Sequence, residues 1–115
     1  MNKQRILDSY LEAALWVAEI NKTIYDFDEE TIIKAKADID AFLIKATPFL
    51  TEEFLGEKEL TEEQIGHDFW LTRSHAGAGF WDRGLGEVGQ KLTEIAQEFG
   101  ELNVFEETDG TLIVE

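Results

Sequence analysis

Apolar side chains recur at three- and four-residue intervals over much of this chain, and that period constrains its fold more than any other feature. In residues 4 to 20 the repeat is carried by Ile6, Leu7, Tyr10, Leu11, Ala14, Leu15, Val17 and Ala18. This places one apolar stripe along an amphipathic helix. A second helix follows a connection over Asn21 to Phe27. Asp28 is its expected cap, Glu29 and Glu30 favour its positive end, and Ile32, Ile33, Ala35, Ile39, Phe42, Leu43 and Ala46 form its stripe up to Pro48. Thr47-Pro48 or Thr51-Glu52-Glu53 begins a short helical piece that closes at Gly56. Thr61 with Gln64 has the form of a capping box ahead of a helix that holds Ile65, Phe69, Trp70 and Leu71.

A further helix runs from about Leu85 through Val88, Leu92, Ile95, Ala96 and Phe99, with Gly100 placed to end it. From Leu102 to Glu115 the period changes to two on either side of Asp109-Gly110, a hairpin signal. The expected fold is therefore α+β and mainly α: a small helical domain of about four helices with a C-terminal β-hairpin. A length of 115 residues suits one domain spanning the whole chain, 1–115, and buries about two thirds of the unfolded surface.

Charge narrows the functional classes. Asp and Glu number 25 against 10 Lys and Arg, giving a net charge of -15. Such a field repels phosphates, so direct contact with nucleic acid is not expected. The absence of cysteine removes disulfides and thiolate chemistry. The first helix interrupts its apolar residues with Asp8 and Glu12, which gives neither a signal-peptide core nor a membrane span. A soluble, cytoplasmic protein without membrane contact is the expectation, with no cofactor assigned.

Chemistry-bearing residues concentrate between Gly66 and Gly84, in GHDFWLTRSHAGAGFWDRG. This stretch holds both histidines, two of three tryptophans, two of three arginines and four of nine glycines. The candidate ligand- or partner-binding residues are His67, Asp68, Trp70, Arg73, His75, Trp81, Asp82 and Arg83. Four chemistries fit residue types found here. His67, Asp68, His75 and Asp82 form a conceivable metal set, but the eight-residue spacing of the histidines matches no zinc signature, and no metal is assigned. Arg73 and Arg83 flank the Gly77-Ala78-Gly79 loop as an anion pocket would require, unless Asp68 and Asp82 pair with them.

Acid–base pairs can be drawn from His67-Asp68 or from His75 with Asp82, but no nucleophile is marked, and no catalytic residue is assigned. Gly84-Leu85-Gly86-Glu87-Val88-Gly89 matches GxGxxG without the preceding strand that gives this pattern meaning, and Asp109 is better placed as a turn residue than as a ribose ligand. Against all four stands a structural reading. The two Phe-Trp pairs, Phe69-Trp70 and Phe80-Trp81, pack on each other with arginines stacked over the rings.

The whole segment is similar to one, typically GHDFWLTRNGHGAGFWDRG, found in small proteins encoded by tailed bacteriophages and their prophages. His67, Asp68, Trp70, Arg73, Gly77, Gly79, Trp81, Asp82 and Arg83 match in place. Ser74-His75-Ala76 replaces the usual Asn-Gly-His. The resemblance extends to Leu11–Trp16, to the helix bearing Phe42, and to the helix and hairpin after Gly84. It implies phage origin and accessory size rather than a mechanism. Together with the charge, it implies an interaction protein in the host cytoplasm that binds a host or phage macromolecule, such as a host-defence or DNA-processing protein, with carboxylates imitating DNA phosphates. The alternative is a small-molecule, nucleotide or metal site in residues 66–84, catalytic or not.

Overall fold

The computed structural model describes residues 1–115. Five helices, the expected four or so counted with the short piece near Gly56, precede a two-stranded antiparallel hairpin: α1 (Lys3–Ala18), α2 (Glu29–Ala46), the short α3 (Glu52–Glu57), α4 (Glu62–Arg73), α5 (Gly86–Gln97), β1 (Val104–Glu106) and β2 (Leu112–Val114). The caps are local and readable. The Asn2 side chain accepts from the N–H groups of Gln4 and Arg5, the Asp28 carboxylate from Thr31 at 2.8 Å, and the Thr51 hydroxyl from Phe54 at 3.1 Å. Pro48 lies in a 3-10 turn, Thr47–Phe49, that carries the chain away from α2. No helix is long and apolar enough to cross a membrane.

α4 is the central element, buried on nearly every side from Ile65 to Arg73. Its closest neighbour is α1, and Gly66 explains why the two backbones approach: a Cβ at this position would overlap the carbonyl oxygen of Ile6. Around α4 the core is aromatic. The Phe42 ring of α2 lies between Phe69 of α4, at 4.3 Å between centroids, and Phe80, at 5.6 Å, with Phe99 edge-on to both Phe42 and Phe69. The two Phe-Trp pairs thus do not pack on each other; their phenylalanines meet across Phe42. Their tryptophans part company, Trp70 sitting edge-on to Tyr10 at 5.2 Å and Trp81 remaining 60% exposed.

Two local expectations differ in detail. The Thr61 hydroxyl accepts from the Gln64 N–H at 3.1 Å, but the Gln64 side chain turns away from the cap to donate to Asp68 at 2.8 Å. A buried carboxylate has greater need of that donor than an exposed N-terminus. The reciprocal capping box occurs instead at Thr23 and Asp26. The hairpin does not turn on Asp109-Gly110 alone. Glu107 donates to the Thr111 carbonyl at 2.8 Å, and Gly110 at φ 89° donates to the Glu107 carbonyl at 2.9 Å, so Thr108, Asp109 and Gly110 form the loop. Glycine in the left-handed position after a turn is the three-residue form of hairpin connection. β2 is anchored to the helices through a bridge between Leu112 and Phe27.

The Gly66 contact gives a paired prediction. Gly66→Ala is expected to cost about 2–4 kcal/mol by forcing α1 and α4 apart. Gly56→Ala, in the open interior of α3 with nothing near its added methyl, is expected to add roughly 0.5–1 kcal/mol. Denaturant unfolding of both variants beside the parent checks the contrast.

Candidate functional site

Arg73 ends α4 with its side chain only 1% exposed. An unpaired charge there would be expensive, and every nitrogen of the guanidinium has an acceptor. Nε donates to the Gly100 carbonyl at 2.9 Å and one terminal nitrogen to the Phe99 carbonyl at 2.7 Å. The other donates to the Asp38 carboxylate at 2.7 Å and the Tyr10 hydroxyl at 3.0 Å. The plane also lies over the Phe69 and Phe99 rings, 5.6 and 5.7 Å from their centroids. Lys34 supplies Asp38 with a second cation at 2.7 Å. Burial, reinforced by Asp38 and opposed by Arg73, raises the Tyr10 phenol to about 12.

Asp38 was not among the residues singled out from the sequence, although a signal was present. It stands on the apolar stripe of α2, three residues after Ala35 and four before Phe42, where a carboxylate requires a buried partner. Tyr10 occupies the equivalent place on the stripe of α1.

Arg83 finds the partner that sequence proximity suggested. Its Nε and one terminal nitrogen reach Asp68 at 3.1 and 2.9 Å, and the Asp68 side chain is fully buried. The hydrogen bond to Asp68 raises the Arg83 pKa further, keeping the guanidinium charged. Asp82 is exposed and has no ion-pair partner. Arg73 and Arg83 therefore do not clamp a common anion: their polar atoms have separate partners on separate elements.

The loop they flank is also held internally. The Thr72 hydroxyl accepts from the Phe80 N–H at 3.2 Å, and a Cβ at Gly79 would overlap that hydroxyl. His75 sits exposed in a left-handed conformation just beyond the end of α4, at φ 53°. The GxGxxG match likewise follows a 3-10 turn, Phe80–Asp82, rather than a strand. Its last glycine packs where a Cβ would stand 2.8 Å from the Phe80 carbonyl oxygen.

His67 and Arg83 do meet on the surface. With Ser9, Thr61, Glu63 and Gln64 they line an open polar recess of about 280 Å³. The His67 ring lies 5.8 Å from the indole of Trp16, which is 67% exposed. The recess offers hydrogen bonds and one guanidinium already bound to Asp68; its Ser9 hydroxyl donates to the Glu63 carbonyl and its Thr61 hydroxyl caps α4. The structure assembles no group of three His, Asp or Glu side chains able to hold a metal ion. Trp70 is 2% exposed, and its indole N–H is the one buried side-chain polar group without a partner.

Arg73→Ala is expected to destabilise the fold by about 3–5 kcal/mol, because it takes from Asp38 one of its two cations and leaves two carbonyls and a phenol without their donor, whereas Asp82→Ala stays within ~0.5 kcal/mol. Chemical unfolding measures both. The Tyr10 shift adds a pH dependence. Its folded-state pKa lies above the unfolded value of 10.0, so the protonated phenol favours the folded state. That stability is complete below about pH 10 and is lost as pH rises toward about 12, on the order of 2–3 kcal/mol. Tyr10→Phe should remove this part of the alkaline decline, which unfolding curves across that range would reveal.

Compared with protein-family models, curated proteins and solved structures, the chain matches none.

Proposed function

We propose that the chain is an accessory protein of tailed bacteriophages that works in the host cytoplasm. There it binds a basic macromolecular partner, host or phage, and modulates it. Its carboxylates stand in for DNA phosphates toward a host-defence or DNA-processing protein. The observation that carries this reading is the distribution of ion pairs. Eight of the ten basic side chains, all but Lys36 and Lys58, lie within 4.0 Å of a carboxylate. The seven carboxylates they engage leave eighteen of 25 without a cationic partner.

Around α3 the imbalance is dense: Glu52, Glu53, Glu57, Glu59 and Glu63 are exposed beside a single lysine, Lys58. A field of this kind speeds encounter with a cationic face and is screened by salt. Support also comes from the motif residues, since Arg73, Asp68 and Thr72 are engaged in holding the fold and leave the surface acids as the larger binding resource. The recess containing His67 and Arg83 favours a second reading, a small anionic ligand such as a nucleotide. It ranks behind because Arg83 is already bound to Asp68 and Glu63 shares the wall.

Capture of the tagged protein's partner from infected bacterial cells tests the choice. Binding is expected to weaken steeply with added salt, and to fall about tenfold or more when Glu52, Glu53, Glu57 and Glu59 are changed to Gln. His67→Ala should leave it unchanged. Salt-insensitive capture lost in His67→Ala would sink the acidic-surface reading in favour of the recess.

A further inference from the structure

The two edges of the C-terminal hairpin are treated differently. Asn103 and Glu115 exchange N–H to carbonyl bonds at 3.0 Å, and the register pairs Val104 with Val114, Phe105 with Ile113 and Glu106 with Leu112. Bonded and non-bonded pairs alternate in an antiparallel ladder. Val104 and Glu106 on β1, and Leu112 and Val114 on β2, thus turn their backbone groups outward. On the β2 side two of the four outward groups are engaged: the Leu112 carbonyl accepts from Asp28 at 2.9 Å, and the Val114 N–H donates to the Thr31 hydroxyl at 3.2 Å. On the β1 side no strand follows, and the outward groups of Val104 and Glu106 meet no partner from elsewhere in the chain.

Beside that open edge lies a groove of about 280 Å³ between the C-terminal turns of α1 and α4 and the start of β1. Ala14, Val17, Trp70, Leu102 and Val104 give it an apolar lining, and Ser74 a hydroxyl. Carboxylates border it: Glu19 follows Ala18 of the lining and Glu101 precedes Leu102, both exposed and without a cation within 4.0 Å. An unpaired edge next to an apolar groove is a template for strand addition.

We propose that this edge and groove take an extended segment of a protein partner, which adds as a third strand beside β1. Its alternate residues are apolar toward the groove and lysine or arginine toward Glu107 and Glu115. The pattern follows from the sheet: Val104, Leu112 and Val114 share one face with Glu106, whose carboxylate Lys22 engages, while Glu107 and Glu115 lie on the other beside Phe105 and Ile113. The basic half of the pattern rests on the acidic-surface reading above; the strand pairing rests on the hydrogen-bond geometry alone.

The test is a selection of random displayed peptides of about ten residues, long enough for one strand, on the intact protein. The best binder is then synthesised with single N-methyl groups placed along its backbone. Expected are binders that alternate apolar and basic residues, and N-methylation that weakens binding at every second position only. Val104→Pro, which removes an outward N–H and leaves the inner ladder bonds intact, should weaken binding about tenfold. Failure to select any binder, or N-methyl effects without a period of two, overturns the proposal whether or not the proline variant folds. Basic, salt-sensitive binders that ignore both changes overturn the strand pairing and leave the acidic-surface reading standing. Period-two binders devoid of lysine and arginine overturn the basic pattern and the reading beneath it.

Discussion

The buried guanidinium of Arg73 is the point on which the helices agree. A full charge removed from water is tolerable only when its donors are all engaged, and here the four acceptors come from three places in the chain. Tyr10 belongs to α1, Asp38 to α2, and the Phe99 and Gly100 carbonyls follow the end of α5. Carbonyls after a helix end lack intrahelical donors, so a cation both satisfies them and opposes the negative end of the dipole. The same group stacks on the rings that form the aromatic core, so electrostatic and apolar packing are aligned at one residue.

From that anchor the rest of the motif-rich segment acquires a physical role. Gly66 lets α1 reach α4, Phe69 and Phe80 enclose Phe42, and Thr72 holds the loop at Phe80 and Gly79. Asp68 is tied by Gln64 and Arg83. A concentration of arginine, aspartate, glycine and tryptophan, which elsewhere marks a reactive centre, here marks a junction that must be built correctly. The proposed recognition draws mainly on features outside it: the surplus carboxylates and the open side of the hairpin.

This division explains the functional reading. With eight of ten cations paired at short range, the field outside the protein is set by carboxylates without partners. Such a field acts at a distance and selects basic surfaces, while an edge strand selects by backbone geometry. In the proposed reading the two modes are complementary, one governing encounter and the other register.

The secondary-structure elements follow from short-range patterns in the chain. Caps at Asp28, Thr51 and Thr61, the stop at Pro48, the helical stripes and the two-residue period near Asp109-Gly110 all act within a few residues, so their effects are visible without a fold. The sequence also placed Asp68 within reach of Arg83, since both belong to one short segment. The partner of Arg73 is a matter of packing, because Asp38 is 35 residues away: its place on the apolar stripe of α2 shows that it needs a buried partner but not which one. Tertiary packing likewise decided that Phe69 and Phe80 meet across Phe42, that Trp81 faces outward, and that one hairpin edge is closed by Asp28 and Thr31 while the other stays open. Those outcomes depend on which helix faces come together, and long-range packing carries no short-range period from which to read it.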